Sequence, residues 1–586
     1  MSIDQTKESR NYYAIILFVI SSIMISQNTL DQTLTIRFVL FAITFTILSF
    51  FNKIIEFPPR VFINLFIIHL ILTLFSGINA FNKEEFIYDF FKSLFLLNIL
   101  FFSYSIFKQK KISFNDIFNV SWILSLFIAI TCLYQILNLT EWNLYNITGL
   151  NGHKNLTSSF ILLLLTIKVS YFLFENKNHK TYIILFFILL DLFIIFFLKT
   201  RAVWLGISIG IVLFFIYIKF KHFFIGKNIL FLSLFLTFAL NIIFIFFIYF
   251  IINRYDIQKS DLKLSKIEDQ ERITLWDKTI KMISEKPFLG HGGGNWQINF
   301  PKQTLSNIWR AEDLNVTFQR PHNDVLWIIS ELGILNFEIL LFTIILLFSY
   351  FFTTKKHIYI YVIIFGIIGF FIAGFFDFPR ERSEHSIFIF MLLGFLISKI
   401  DNSYFKSIPN RFNILFCYFT KIIFPVTALI FIIRFYSETQ IKKIHENISL
   451  NNGLEIIESV ENSTSIVCSI DSYSVPLRWY SATTYASLGN NKMVLKDLKE
   501  AYQKAPYNRH VLNDLGTIYT IMGHTQKAIF YFLKSHKISP RFDEPILNLI
   551  VIYINLGDLK KAKYYKTLLK TDSPRREEIE NYLNSL

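Results

Sequence analysis

Long apolar runs dominate the first three quarters of this sequence. The run from Ile229 to Ile252, for example, contains no charged residue. As a helix, such a run is long enough to cross a hydrocarbon core about 30 Å thick. A membrane β-barrel would instead need short strands that alternate between polar and apolar side chains, and these runs do not alternate. The sequence therefore predicts an all-α, polytopic membrane protein.

Thirteen membrane spans are predicted within residues 1–435. Their centres lie near residues 19, 43, 69, 97, 128, 166, 190, 210, 241, 338, 367, 393 and 424. The first span lacks a small-residue cleavage site, so we expect it to be retained as an anchor. The net charge of +15 does not indicate a nucleic-acid partner, because the basic residues are spread through membrane-flanking segments and form no basic-aromatic patch.

The distribution of lysine and arginine predicts the orientation of the chain. With a cytoplasmic N-terminus, the inner segments hold most of the basic residues that flank the spans, in agreement with the positive-inside rule. A polar loop at residues 253–322 and the C-terminal tail then both lie on the outer side. Arg201, Arg380 and Arg382 also lie there, against the general bias. Arginines at helix ends can extend to lipid headgroups, but at one membrane face they also suit a diphosphate or another anion.

The C-terminal tail shows an internal repeat. Residues recur every 34 positions, at Gly489, Gly523 and Gly557, at Pro506, Pro540 and Pro574, and at Tyr485, Tyr519 and Tyr553. This pattern resembles tetratricopeptide repeats, which consist of two antiparallel helices per unit. We therefore predict a membrane domain at residues 1–435, a linker or degenerate repeat at 436–474, and a repeat solenoid with a capping helix at 475–586. Such arrays usually bind a partner; the alternative is that the tail packs on the membrane domain or dimerises.

Two of the predicted outer turns carry polar groups that could form a site. A very tight turn places Arg201 at the start of a span, with Trp204 one turn further along. The loop Thr148–Asn155 combines a flexible glycine-containing backbone with His153 and Asn155. Both turns are expected on the same side of the membrane as the long polar loop.

The long loop carries three further motifs. Arg272 opens a helical stretch, and Trp276 follows one turn later. A glycine run at Gly290–Gly294 is expected to act as a hinge that lets the loop close over a substrate. The loop ends at Pro321–Asn323, where His322 precedes the next span. We expect this loop to be the place where chemistry occurs.

Taken together, these motifs resemble the O-antigen ligase family. The resemblance covers about residues 145–400 and rests on the order and spacing of Arg201-Ala202-Val203-Trp204-Leu205-Gly206, Arg272 with Trp276, Gly290-x-Gly292-x-Gly294-Asn295, and His322-Asn323 followed by Leu326, Glu331 and Gly333. The superfamily also contains O-antigen polymerases and protein O-oligosaccharyltransferases.

The resemblance implies a glycosyltransferase of the polytopic GT-C-like class in the bacterial inner membrane. Such an enzyme takes a glycan from undecaprenyl diphosphate at the periplasmic face and transfers it to a hydroxyl of lipid A-core. The ligases resemble inverting, metal-independent enzymes, so no metal and no cofactor is expected. Polymerases and protein O-oligosaccharyltransferases differ chiefly in the acceptor, which is a growing glycan or a protein.

The resemblance also implies roles for individual residues. His322 would act as the base toward the acceptor hydroxyl, and Arg201 and Arg272 would bind the diphosphate. The chemistry is consistent with these roles, because guanidinium groups stay charged and bind oxyanions in a bidentate manner. Histidine, in turn, is suited to general base catalysis near neutral pH. Further candidates for the substrate site are Asn155, Asn323, Glu331, Arg380 and Arg382.

Acidic residues at or within spans need partners. Glu331 and Asp191 are such residues, because an isolated charge at the bilayer centre costs about 2.5–3.5 kcal/mol on insertion scales. Asp377 could form an ion cluster with Arg380 and Arg382, or extend the anion site.

Two other classes of function are possible. A transporter should concentrate polar residues and broken helices near the middle of the membrane, whereas the polar motifs here gather at the outer rim. A scaffold would keep an inert membrane part and bind a partner through its repeats. The predicted thirteenth span and the repeat tail depart from typical lipopolysaccharide ligases, so the acceptor could also be a protein.

Overall fold

The computed structural model describes residues 3–52, 55–139, 146–174, 181–254, 264–401, 404–405, 410–570, 573 and 575–585. Within them, secondary structure is helical apart from two isolated bridges, Ser465–Cys468 and Ile470–Pro476. The N-terminal helices α1–α9 are Ile3–Ile23, Leu34–Phe51, Arg60–Ser76, Lys83–Lys108, Phe114–Leu137, Lys154–Phe174, Thr181–Leu198, Arg201–Phe224 and Ile229–Arg254. A region that we call the loop domain, residues 264–323, holds α10–α12 at Leu264–Glu285, Trp296–Asn299 and Trp309–Asp313.

The remaining helices return to the membrane bundle and then form the tail. Helices α13–α16 are Asp324–Thr353, Ile358–Gly374, Ser383–Ser398 and Asn410–Ser449. The tail comprises α17–α24 at Gly453–Ser463, Leu477–Ser487, Asn491–Lys504, Arg509–Ile521, Thr525–Ile538, Glu544–Asn555, Leu559–Thr567 and Arg576–Ser585.

The apolar helices are consistent with a multi-pass membrane protein. Among the described residues, nine helices are long and apolar enough to span a membrane, namely α2–α8, α13 and α16. Each of the other four predicted spans coincides with a shorter apolar stretch, in α1, α9, α14 or α15. All thirteen predicted centres therefore fall on apolar helices, while the count of thirteen spans stays a prediction.

Close glycine contacts set the register between α8 and α14. A Cβ added at Gly206 would lie 2.3 Å from the carbonyl oxygen of Gly369, and one added at Gly210 would lie 3.0 Å from that of Phe365. Small residues allow membrane helices to approach so closely. The two pairs also show that the helices are antiparallel. Extrapolated along α8, this register places Arg201 at the end of the bundle where α14 ends, at Gly374.

A buried ion pair supplies the partner that Asp191 requires. Lys168 of α6 contacts the Asp191 carboxylate of α7, and both side chains are 0% exposed. Lys168 also donates a hydrogen bond to Ser125 of α5. The pair therefore ties three helices together, and Asp191 has a structural role.

Breaking this pair on one side should be more damaging than removing it entirely. Lys168→Met leaves an unpaired buried carboxylate, which we expect to destabilise the protein by about 3–5 kcal/mol. The double variant Lys168→Met/Asp191→Leu should recover most of that loss, because no charge stays buried. Thermal unfolding of the purified protein in detergent measures the stability of the single and the double variant. Equal destabilisation of the single and double variants would contradict the assignment.

Helix α13 is broken at Gly333, and the glycine run fills the break. Gly333 has φ 82° and ψ 165°, which interrupts the helical hydrogen bonds. The backbone amides of His291 and Gly292 donate to the carbonyls of Ser330 and Glu331, at 2.9 and 2.8 Å. On the far side of the break, the amide of Ile334 donates to the carbonyl of Pro287 at 2.8 Å. The loop thus satisfies backbone groups that the break exposes.

The glycine run is tightly packed in this structure, whereas the sequence-based expectation was a hinge; motion of the run stays a prediction. A Cβ at Gly290 would lie 2.3 Å from the carbonyl oxygen of Glu331, and one at Gly293 would lie 2.4 Å from Asp89 Oδ2. Gly290 also has φ 67°, in the left-handed region that favours glycine. These residues are glycines because the segment is packed tightly against α4 and α13.

The tail begins inside a continuous helix. Helix α16 runs without interruption across residue 435, the predicted domain boundary. Its C-terminal part packs with α17 and α18 through a buried cluster that includes Ile441, Ile456 and Leu477. Such a helix pair is what a degenerate first repeat would form. The division of the chain into domains stays a prediction.

The next six tail helices pack as successive pairs, α18 with α19, α20 with α21, and α22 with α23. Gly489, Gly523 and Gly557 each lie in the turn of one pair, with φ of 71°, 76° and 74°. The left-handed turn explains why glycine recurs every 34 residues. The identification of the pairs as tetratricopeptide repeats stays a prediction.

The tail packs against the loop domain. Arg509 donates hydrogen bonds to the carbonyl of Ala311 at 3.1 Å and to Asn315 Oδ1 at 2.7 Å. The amide of Leu305 donates to the carbonyl of Ile538 at 2.7 Å. The tail therefore packs on the loop domain, and its binding of a partner stays a prediction.

Candidate active site

Four separate parts of the chain meet where α13 begins and α14 ends. They are the last residues of the loop domain with His322, the α14–α15 connection with Asp377, the first turns of α10 with Arg272, and the start of α6 with Asn155. His322 Nδ1 lies 3.7 Å from Asp377 Oδ1. Arg272 is close enough to influence His322 electrostatically, and Asn155 influences Asp377.

His322 is held in a defined orientation. Its backbone has φ 54°, which is uncommon for a residue other than glycine. The ring lies edge-on to Phe378, with a centroid distance of 4.9 Å, and the side chain is 27% exposed. The neighbouring Asn323, not His322, caps α13, because its Oδ1 accepts a hydrogen bond from the amide of Leu326 at 2.9 Å. The His322 imidazole therefore does not cap the helix.

Asp377 provides a buried negative charge beside this imidazole. Burial alone would raise the pKa of Asp377, but its interactions with His322, His153 and Asn155 lower that pKa below the ordinary value. The carboxylate is therefore ionised near neutral pH. At 3.7 Å the carboxylate is too far from Nδ1 for a hydrogen bond, but its negative charge favours the tautomer with the proton on Nδ1, which leaves Nε2 as the proton acceptor.

The surroundings of His322 favour its neutral form. Burial lowers the pKa of His322, and the positive charges of Arg272 and Arg320 lower it further. The Asp377 carboxylate acts in the opposite direction, but the net shift is downward. A neutral imidazole with an accepting Nε2 can take a proton from a hydroxyl group at neutral pH.

Arg272 is positioned through Trp276. The indole Nε1 of Trp276 donates a hydrogen bond to the carbonyl of Pro321 at 2.9 Å. This bond fixes α10 against the residue that precedes His322. Because residues four apart lie on the same face of a helix, Arg272 is directed to the same region.

Arg201 lies at this end of the bundle but on its surface. The register of α8 and α14 places it level with Gly374, three residues before Asp377. Its side chain is exposed. Arg201 and Arg272 thus reach the same end of the bundle from helices that are distant in sequence.

A second cluster surrounds Arg380. Its guanidinium lies over the Trp327 ring at 4.3 Å. Arg380 Nε is 3.7 Å from Asp324 Oδ1, and its Nη2 is 3.9 Å from Glu331 Oε2. Glu331 also accepts a hydrogen bond from the amide of Trp296 at 3.0 Å. Glu331 therefore links the loop domain to Arg380, and its charge is balanced by that arginine.

Arg382 and Arg320 pair with other acids at the rim. Arg382 Nη1 lies 2.8 Å from Asp31 Oδ2, which ties the α14–α15 connection to the α1–α2 loop. Arg320 pairs with Glu381, and its guanidinium lies 4.5 Å from the Phe378 ring centroid. Sequence reasoning missed Arg320, although it directly precedes the Pro321–Asn323 motif. It also missed the pairing of Asp377 with His322, because no local pattern links residues so far apart.

Many buried polar atoms at this site have no hydrogen-bond partner within the protein. They are His322 Nδ1, Asn323 Nδ2, Asp324 Oδ1, Trp327 Nε1, Glu331 Oε2, Asp377 Oδ2 and Arg380 Nε. Buried polar atoms are normally paired, so such a concentration distinguishes this region from the rest of the fold. In the part of the chain that the structure describes, no group of three or more His, Cys, Asp or Glu side chains is placed to hold a metal ion.

Part of the chain matches a known protein family. Residues 184–341 match the family model described as O-Antigen ligase. The match includes Arg201, Arg272, His322 and Glu331, but not Asn155, Asp377 or the tail. It supports the O-antigen ligase family, and with it an enzyme of the glycosyltransferase type, either a ligase or a polymerase. No curated protein matches the chain.

Proposed function

We propose that this protein transfers a glycan from undecaprenyl diphosphate to a hydroxyl of lipid A-core. The reaction takes place at the periplasmic face of the bacterial inner membrane, without a metal and with inversion at the anomeric carbon. The observation that supports this proposal best is that His322 lies beside the Asp377 carboxylate and within electrostatic reach of Arg272. This arrangement joins a proton acceptor to a cation within the region that matches the ligase family.

The proposed reaction is a direct displacement. The acceptor hydroxyl gives its proton to Nε2 of His322 as its oxygen attacks the anomeric carbon. The bond between that carbon and the diphosphate oxygen breaks, and undecaprenyl diphosphate leaves with the electron pair. Asp377 stabilises the imidazolium that forms, as a buried carboxylate does in other acid–base pairs.

The arginines act on the leaving group. Negative charge grows on the diphosphate as the glycosidic bond breaks, and fixed cations at that point lower the barrier. We assign Arg272 and Arg201 to the diphosphate. Arg380 lies against Asp324 and Glu331 on the Trp327 ring, so we assign it to holding the start of α13 and not to the diphosphate.

The acceptor distinguishes the three related activities. Loss of long chains on lipid A-core in a deletion strain supports the ligase. Unmodified glycoproteins would instead identify a protein O-oligosaccharyltransferase, and single-unit glycans a polymerase. The tail is the part of the chain that could recruit a protein acceptor.

Replacing His322 tests the base. We expect His322→Ala to lower the transfer rate by about 10²–10⁴-fold, the usual contribution of general base catalysis. The assay is glycan transfer by the purified protein, with its amount in the membrane checked by immunoblot. His357→Ala is the matched control, because His357 is exposed and lies at the opposite end of α14. A rate for His322→Ala within a few-fold of wild type would rule out the assigned base.

Replacing Arg272 tests the diphosphate contact. Arg272→Lys keeps the charge but loses the bidentate geometry. A lost charged hydrogen bond of about 1.5–3 kcal/mol corresponds to a roughly 10–100-fold lower kcat/KM. Arg575→Lys, at an exposed position in the tail, should leave kcat/KM unchanged. Wild-type kinetics in Arg272→Lys would argue against the contact.

The pH dependence of kcat/KM tests the electrostatics of the site. Because the pKa of His322 is lowered, the acid limb of the profile should lie below pH 6.5, the ordinary histidine value. Arg272→Gln removes a positive charge that lowers this pKa, so the limb should move to higher pH. Asp377→Asn removes the charge that raises it, so the limb should move to lower pH. Shifts of the same sign in the two variants would contradict the arrangement.

A further inference from the structure

A cavity lies where the loop domain meets the tail. Its volume is about 190 Å³, and it is lined by loop-domain residues 297–318 and by tail residues 473–510. We call it the interdomain cavity. Because both parts of the chain contribute walls, the tail is needed to form it.

The lining of the interdomain cavity has a distinct chemical character. It combines the aromatic rings of Tyr473 and Tyr507 with the amide side chains of Gln297 and Asn508. Arg509 is the one Lys, Arg, Asp or Glu among its lining residues. Aromatic faces pack against the apolar C–H faces of sugar rings, while amide and guanidinium groups bond to hydroxyls. This combination suits a sugar better than a polyanion or a purely apolar ligand.

The polar groups of the cavity are already fixed. Gln297 Oε1 accepts a hydrogen bond from Ser474 Oγ at 2.8 Å. Arg509 is 8% exposed and bonds to Asn315 Oδ1 at 2.7 Å and to Ser539 Oγ at 2.9 Å. Side chains that are held in place lose little conformational entropy when a ligand binds. The cavity is therefore preorganised.

The interdomain cavity is adjacent to the candidate base. Phe318 forms part of its wall, and the Phe318 ring centroid lies 6.4 Å from that of His322. Phe318 therefore contacts both the cavity and the surroundings of His322. A glycan that reacts at His322 could therefore place a neighbouring sugar in the cavity.

We propose that the interdomain cavity binds one sugar unit of a glycan substrate, next to the unit that reacts. The proposal rests on the proposed function, since it assigns a subsite to the same reaction. The sugar belongs either to the acceptor glycan or to the lipid-linked donor glycan. The cavity makes the tail part of the substrate site in addition to its packing role.

Filling the cavity tests the proposal. Thr317 is an exposed lining residue, so Thr317→Trp should occupy the cavity without disturbing the core. Thr517→Trp is the matched control, because Thr517 is exposed on α20 and is not part of the lining. Tyr473→Ala removes one aromatic wall, and Tyr473→Phe keeps the ring. Thermal unfolding confirms that each full-length variant is folded.

Binding is measured by calorimetry with two probes on the full-length protein in detergent. One is core oligosaccharide freed of lipid, and the other is the free glycan repeat without its lipid diphosphate. We expect one probe to bind, with affinity at least tenfold weaker in Thr317→Trp and Tyr473→Ala and unchanged in Thr517→Trp and Tyr473→Phe. Binding of the core probe identifies an acceptor subsite, and binding of the repeat probe identifies a donor subsite.

A separate variant distinguishes this inference from the proposed function. His322→Ala should bind the same probe with wild-type affinity, because the cavity does not include His322. The wild-type protein could bind a probe more tightly than Thr317→Trp does and yet transfer no glycan. That result would overturn the proposed function but would leave the sugar site supported. Failure of both probes to bind, or equal binding by Thr317→Trp, would overturn the inference. Selective binding of a serine- and threonine-rich peptide in place of both probes would overturn it too.

Discussion

The break in α13 at Gly333 is the constraint on which the site depends. A helix that is interrupted among apolar neighbours exposes backbone groups that must find partners. Here the partners come from the loop domain, through the amides of His291 and Gly292 and the carbonyl of Pro287. The loop domain is therefore docked by backbone hydrogen bonds and not only by side chains. This docking fixes α10, and through Trp276 it fixes Arg272 relative to His322.

The charges of the site balance one another in a way that leaves the base neutral. Asp377 faces His322, whereas Asp324 and Glu331 face Arg380. Each acid therefore has a cationic or ionisable neighbour, and the positive charges that surround His322 lower its pKa.

Sequence reasoning was most successful where function depends on short local patterns. The apolar runs predicted the helices, and the turn between Leu198 and Arg201 is as tight as expected. The motifs around Arg272 and His322 lie at one end of the bundle with Asn155. The resemblance to a known family, more than the chemistry alone, directed attention to these residues.

Sequence reasoning was least successful for contacts between segments that are distant in the sequence. The glycine run was expected to be a hinge, because glycine is flexible in isolation. In the structure, a larger side chain in this run would clash with Glu331 or Asp89. Asp377 and Arg320 contribute to the environment of His322 only through the tertiary fold. The sequence also did not predict that α16 continues across residue 435. Helical periodicity does not change sharply where the membrane part passes into the tail.

The interdomain cavity connects the tail with the candidate site, because Phe318 lines the cavity and its ring centroid lies 6.4 Å from that of His322. The proposed reaction requires that the loop domain and the tail face the periplasm. Cysteine labelling tests it most directly. Ser284→Cys places a thiol at an exposed position on α10, and Lys219→Cys places one at an exposed position near the opposite end of α8. A membrane-impermeant maleimide added to intact spheroplasts should label the first and not the second. Labelling of Ser284→Cys only after lysis would contradict the proposed periplasmic location of the loop domain.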